Sequence, residues 1–144
     1  MRDPRAEAER WFRQAEYDLR VARHLREGGF HFAACFHAQQ AAEKALKACR
    51  YAQGERLVLG HSVLRLAEEC AEADPRFEDL AQECGRLDLF YVPTRYPNGL
   101  PGGTPAEIYT DAEAEVAVRL AQRVLSLVAE VLDLESTGDW RGRP

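Results

Sequence analysis

Apolar residues recur every three or four positions through almost the whole chain, and a pattern of that period can bury itself only as packed helices. No segment shows sustained alternation of period two, and β-branched residues are few outside the last helical stretch. Five helices are predicted. The first covers about 6–26, with Trp11, Ala15, Leu19, Ala22 and Leu25 on one face and Gly28-Gly29 as its stop. The second covers about 31–53, ending at Gly54. Ala33, Ala34, Ala38, Ala41, Ala42, Ala45 and Ala48 ring it nearly all round, which lets two neighbours approach closely and places it centrally. The third, about 62–73, has Ser62 as N-cap. The fourth opens with Asp74 as cap and Pro75 at its first position, and runs to about Tyr91. The fifth opens with a Thr110–Glu113 capping box and runs to about Leu134.

Short connections between the first four helices favour an all-α, antiparallel up-and-down bundle of four to five helices. The connection before the last helix differs. Residues 92–109 hold Pro93, Pro97, Pro101 and Pro105 with Gly99, Gly102 and Gly103, and a long Pro/Gly loop in a small domain is usually functional or disordered. Residues 1–134 read as a single helical domain, and 135–144 as a frayed polar tail.

The chain has 144 residues, enough for one domain with a real core. Its formal charge of −5 argues against a surface that coats duplex nucleic acid, though a local basic site is compatible with it. Arginine outnumbers lysine by 17 to two, a skew that reports genome composition more than function. No stretch is apolar enough for a membrane span, and the N-terminus has no signal-peptide core, so a cytoplasmic location is expected. Cys35, Cys49, Cys70 and Cys84 form no Cys-x-x-Cys pair and lie on apolar stripes. They read as buried, reduced, small hydrophobes, and no metal site or cofactor is expected.

The long loop carries the richest chemistry. Tyr91, Arg95, Tyr96 and Tyr109 fall in or beside it; aromatic faces stack on bases, and an arginine forks onto phosphate. The plainer reading has the tyrosines pinning the loop and Arg95 paired with a carboxylate. Asp18 and Asp88 each lie on an apolar stripe and need a polar partner there. Asp88, one turn before Tyr91, is placed to reach Arg95. On the second helix Gln39, Gln40, Glu43 and Lys47 share the Phe32–Phe36–Leu46 side, as a solvated edge, an interface or a network running into a site. Lys44 points to another face. His61, after Gly60, either caps backbone groups or faces a cleft.

Three segments carry a family resemblance: Trp11 to Ala22, read W-F-x-x-A-x-x-D-L-x-x-A; Phe36 to Ala48, F-H-A-Q-Q-A-A-E-K-A-L-K-A; and Tyr91 to Pro97, Y-V-P-T-R-Y-P. With Gly60-His61-Ser62 between the second and third helices, the chain resembles HEPN-domain proteins from about residue 8 to 134. The resemblance implies a helical bundle, commonly a homodimer, associated with nucleotides or RNA. It also implies a minimal nucleotidyltransferase partner, in a substrate-binding or toxin–antitoxin role. Catalytic members are metal-independent ribonucleases with an Arg-x4-6-His motif near the start of a late helix. After Arg95 come Gly99, Leu100, Pro101 and Gly102 where His is needed. Arg26–His31 and Arg56–His61 have the spacing but lie in other connections, and roughly 1.4 such pairs arise by chance at this composition.

The reading therefore leans away from an enzyme, toward a non-catalytic module that binds a nucleotide or RNA end. Arg95 contacts phosphate, Tyr91 and Tyr96 stack, and Asp88 orients Arg95. Lys47 or Lys44 adds charge, with His61 as a further candidate. A metal-independent ribonuclease toxin and a structural dimer partner without ligand are the alternatives.

Overall fold

The computed structural model describes residues 3–134; the tail expected to fray lies outside them. Six α-helices follow in order: α1 (Pro4–Glu27), α2 (His31–Ala52), α3 (Val63–Ala73), α4 (Phe77–Cys84), α5 (Pro105–Ile108) and α6 (Asp111–Leu132). Among the described residues there is no strand. The all-α bundle read from the periodicity is the fold observed.

The helix ends follow the local chemistry. The Asp3 carboxylate accepts the Arg5 N–H at 3.0 Å and Pro4 occupies the first turn of α1, where no N–H is missed. The Ser62 hydroxyl accepts the Arg65 N–H at 3.0 Å, as the sequence predicted. Thr110 and Glu113 form the expected capping box, with the Glu113 carboxylate accepting the Thr110 N–H at 3.0 Å.

α2 is the central element, in contact with α1, α3 and α6. Ala34, Ala38, Ala41, Ala42, Ala45 and Ala48 are fully buried, so the neighbouring backbones close onto it. Phe12 and Leu19 of α1, Leu66 of α3, Phe77 and Leu80 of α4, and Leu125 of α6 fill the space around it. All four cysteines are buried and free. Burial pushes the Cys35 and Cys84 thiols up to about 12, so both are inert at neutral pH.

Contacts at both ends fix the helix directions. Lys44 of α2 meets Asp18 of α1 at 2.5 Å, and Lys47 lies 5.5 Å from the Trp11 ring, so α1 and α2 run antiparallel. The Arg5 guanidinium donates to the Leu132 and Asp133 carbonyls at 2.7 and 3.0 Å, while Arg26 forks onto Asp111 at 2.8 and 3.2 Å at the other end. α6 is thus antiparallel to α1.

α3 departs from the up-and-down scheme. Gln39 reaches the His61 carbonyl at 2.9 Å, Arg50 the Glu69 carbonyl at 3.3 Å, and Gln53 the Cys70 carbonyl at 3.3 Å. α3 therefore starts beside the middle of α2 and ends beside its C-terminal end. Residues 53–62 travel back along α2 before α3 begins. Gly54 (φ +101°) and Gly60 (φ +96°) make the two reversals, in a backbone region costly for any residue with a Cβ.

The fourth helix also differs from expectation. The Asp74 carboxylate accepts the Arg76 N–H at 3.1 Å and pairs with the Arg76 guanidinium at 2.7 Å, so residues 74–76 form a turn and α4 starts only at Phe77. After Cys84 the chain tightens into a 3-10 turn, Gly85–Phe90. A Cβ at Gly85 would come within 3.0 Å of the Leu64 side chain, so α3 and this turn meet at van der Waals contact. The tighter winding turns Asp88 off the Phe77–Cys84 stripe.

The Pro/Gly segment is more structured than a plain loop. It contains a second 3-10 turn, Pro97–Gly99, and α5, whose N-cap Thr104 accepts from the Glu107 N–H. Thr94 is fully buried, with its hydroxyl donating to the Phe90 carbonyl at 2.5 Å.

Candidate functional site

The α2–α3 connection and the segment after the 3-10 turn meet over the middle of α2. The Tyr91 ring is the meeting point. His61 stacks on it with ring centres 4.7 Å apart and planes 16° apart, and the Arg95 guanidinium lies 4.5 Å from its centre. Arg95 also lies 4.6 Å from the Phe36 ring and 5.4 Å from the Tyr96 ring. Three aromatic faces thus hold one cation. Its Nε donates to the Tyr91 carbonyl at 2.8 Å, one turn back, which fixes the plane of the fork. Arg95 is exposed, and among the described residues no carboxylate pairs with it.

Beneath His61 runs a buried polar ladder on α2. Glu43 is its hub. One carboxylate oxygen meets His61 Nδ1 at 3.1 Å and accepts from the Gln39 and Gln40 amides at 3.4 and 3.5 Å; the other faces Lys47 Nζ at 3.4 Å. Gln39, Glu43 and Lys47 are all buried, whereas the His61 side chain remains 57% exposed. Of the three readings open for this polar set, the observed one is a network that ends at an exposed ring.

Arg95, Tyr91, Tyr96 and His61 are therefore brought together, with Lys47 behind them on the far oxygen of Glu43. Two candidates fall elsewhere. Lys44 pairs with Asp18, which also accepts from the Gln14 amide at 3.1 Å, on the α1 side of α2. Asp88 does not orient Arg95. It accepts from the Ser62 hydroxyl at 2.7 Å, the Val63 N–H at 2.5 Å and the Leu64 N–H at 3.4 Å, so it caps α3. The free N–H groups of a helix start outcompete a more distant guanidinium for this carboxylate.

Sequence reasoning missed Glu43 and Phe36 as site residues. The i, i+4 spacing of Gln39, Glu43 and Lys47 signalled a shared face. That His61 returns to that face depends on the path of residues 53–62, which no spacing encodes.

The Arg95 cluster is an open face rather than a cavity. A groove of about 1370 Å³ lies elsewhere, between α1 and α6, with Tyr17, Arg26, Asp111 and Arg119 in its wall. Arg26 is forked onto Asp111 there, so size alone does not make it the better site. Among the described residues, no group of three His, Cys, Asp or Glu side chains is placed to hold a metal ion, and no helix is long and apolar enough to cross a membrane.

A six-helix bundle with an Arg–Tyr–His cluster over its central helix is the setting in which the comparisons with known proteins fall. The chain belongs to the HEPN domain family, whose model matches residues 8–132. It is similar to a protein of Thermus thermophilus of known structure, at 44% identity and a TM-score of 0.81, covering 86% of this chain and 97% of that one. The structure of an archaeal HEPN homologue matches at 37% identity and a TM-score of 0.72, covering 88% and 98% of the two chains. A Methanocaldococcus jannaschii protein bearing the name putative toxin is 29% identical over 133 residues, 87% of this chain and 88% of its own length.

Proposed function

We propose that this HEPN chain is a non-catalytic binding module that takes the phosphate of a nucleotide or RNA end at Arg95. The observation that carries the reading is the state of that guanidinium: exposed, ordered by three aromatic rings, and without a carboxylate partner among the described residues. A planar cation whose faces are covered by rings keeps its donor edge for an anion in the plane. The exposed Tyr96 supplies stacking surface beside it, while the Tyr91 ring, taken by His61 and Arg95, anchors the cluster. The module acts as a homodimer with a minimal nucleotidyltransferase, in a toxin–antitoxin-like or substrate-binding role, in the cytoplasm. The toxin name of the archaeal relative favours the first of those roles.

Calorimetric titration with a 5′-phosphorylated oligoribonucleotide tests this. Arg95→Ala is expected to weaken binding roughly ten- to a hundredfold, the worth of a charge-assisted contact. Unchanged affinity removes the site.

One observation favours a second reading, a metal-independent ribonuclease toxin. His61 and Arg95 share the Tyr91 ring although they are far apart in sequence. RNA cleavage that survives chelator and disappears in His61→Ala would establish it; no cleavage is expected.

A further inference from the structure

We propose that Glu43 is a positioning residue that makes His61 a reader of the ribose 2′-hydroxyl, so that the Arg95 face distinguishes RNA from DNA. The inference rests on the phosphate site proposed above and adds the sugar to it.

The geometry supplies the steps. The Glu43 carboxylate is buried and cannot turn toward water; one of its oxygens is 3.1 Å from His61 Nδ1. An ionised carboxylate only accepts, so Nδ1 carries the proton in that hydrogen bond. In the neutral ring the lone pair is then on Nε2, the nitrogen remote from Glu43. Lys47 lies 3.4 Å from the second carboxylate oxygen and holds that side of Glu43. The ring cannot swing freely, because it stacks on Tyr91, and its own carbonyl is held by Gln39. The side chain is nevertheless more than half exposed.

The outcome is a fixed hydrogen-bond acceptor sharing the Tyr91 ring with the Arg95 cation. A bare phosphate oxygen is itself only an acceptor and gains nothing from a neutral Nε2. A hydroxyl next to a phosphate is a donor and does. In a nucleic acid strand that hydroxyl is the 2′-OH, the group that separates RNA from DNA. Arg95 would hold the phosphate while His61 accepts from the sugar.

The test uses the full chain at pH 8 and three matched probes: 5′-phosphorylated oligo(A) with ribose, deoxyribose or 2′-O-methylribose. The wild type is expected to prefer the ribose probe roughly three- to tenfold over both others, the worth of one neutral hydrogen bond. His61→Phe keeps a ring on Tyr91 but has no acceptor, and should bind all three alike. Glu43→Gln should also lose the preference, because an amide can donate to Nδ1 and move the proton to Nε2. Nitrogen-15 NMR of the His61 ring reads this directly: a proton-bearing Nδ1 and a bare Nε2 in the wild type, the reverse in Glu43→Gln. A mere packing role for Glu43 would leave that signature unmoved. Arg95-dependent binding with no ribose preference overturns this inference and leaves the phosphate site standing. A preference intact in His61→Phe, or a wild-type ring protonated at Nε2, also overturns it. No Arg95-dependent binding of any probe overturns both. Should Glu43→Gln fail to fold, the wild-type spectrum and His61→Phe still decide.

Discussion

The consequences of single substitutions turn on Asp88. Had Asp88 been locked to Arg95, removing the arginine would have stranded a carboxylate and cost about 3–5 kcal/mol. Asp88 instead caps α3, so Arg95→Ala leaves no orphaned charge. It gives up the ring contacts and one hydrogen bond to a carbonyl at an exposed position, and should lower stability by about 1 kcal/mol or less in a urea melt. Asp88→Ala is the reverse case. It strips the α3 start of its acceptor for two N–H groups and the Ser62 hydroxyl, and should cost about 1–3 kcal/mol in the same melt. A loss of stability larger for Arg95→Ala than for Asp88→Ala would contradict the assignment. At this scale the residue types were legible: a loop Arg between tyrosines and an Asp on an apolar stripe that needed a partner. The partner was not, because it depends on how α4 tightens into a 3-10 turn.

Helix ends make the acid response of the bundle specific. The fork from Arg26 holds the Asp111 carboxyl below its usual range, and the hydrogen bond from Thr110 does the same for Glu113. Arg76 likewise lowers Asp74. For each, the folded state binds its proton more weakly than the unfolded chain does. The stability this gives is complete well above the unfolded-chain values of 3.8 for Asp and 4.5 for Glu, and is lost as pH falls through the lower folded-state values. A urea midpoint should therefore drop between pH 5 and pH 3. Arg26→Gln should flatten part of that drop, since it removes the group that lowers Asp111. An unaltered slope would mean that the α1–α6 fork does not persist in solution. Burial also lowers the pKa of His37. A base whose folded value is lowered destabilises as pH falls from about 6.5 toward that value, so His37→Gln should shallow the slope between pH 7 and pH 5. Among the elements, the long helices were written in periodicity and caps: Ser62 and Thr110 act as their residue types predict. The start of α4 was not, because Arg76 takes the Asp74 carboxylate that the Asp-Pro signal assigned to a helix cap.

For the whole molecule, the last helix carries Val116, Val118, Leu120, Val124, Leu125, Leu127, Val128, Val131 and Leu132 over more than one stripe, which on sequence alone points to a dimer. The folded chain answers part of that argument. Val118, Leu120, Val124, Leu125, Leu127 and Val128 of α6 are all buried within one copy. The large apolar side chains left outside lie elsewhere, notably Leu57 and Leu59 in the α2–α3 connection and Leu89 in the 3-10 turn. Dimerisation is still expected from the proposed function, with these leucines rather than α6 as the apolar surface available to it. Light scattering at tens of micromolar should give twice the chain mass, and Leu57→Asp with Leu59→Asp should lower it. A monomer mass for the unaltered chain would refute the homodimer. The bundle was legible because helix period and capping are local. The return of α3 alongside α2 was not, since a connection of ten residues fits a hairpin and a backtrack equally well.

The Asp88 cap joins two connections that are far apart in the chain: one end of the bond is in the turn leading to Tyr91 and Arg95, the other at Ser62, beside His61. Both segments lie outside the long helices, where local opening costs least, yet neither can open without releasing the other. The Arg95 face is therefore one cooperative unit of two separate strips of chain. Opening either strip would release both while the alanine-lined centre stays shut, so the proposed binding would be lost before the bundle unfolds.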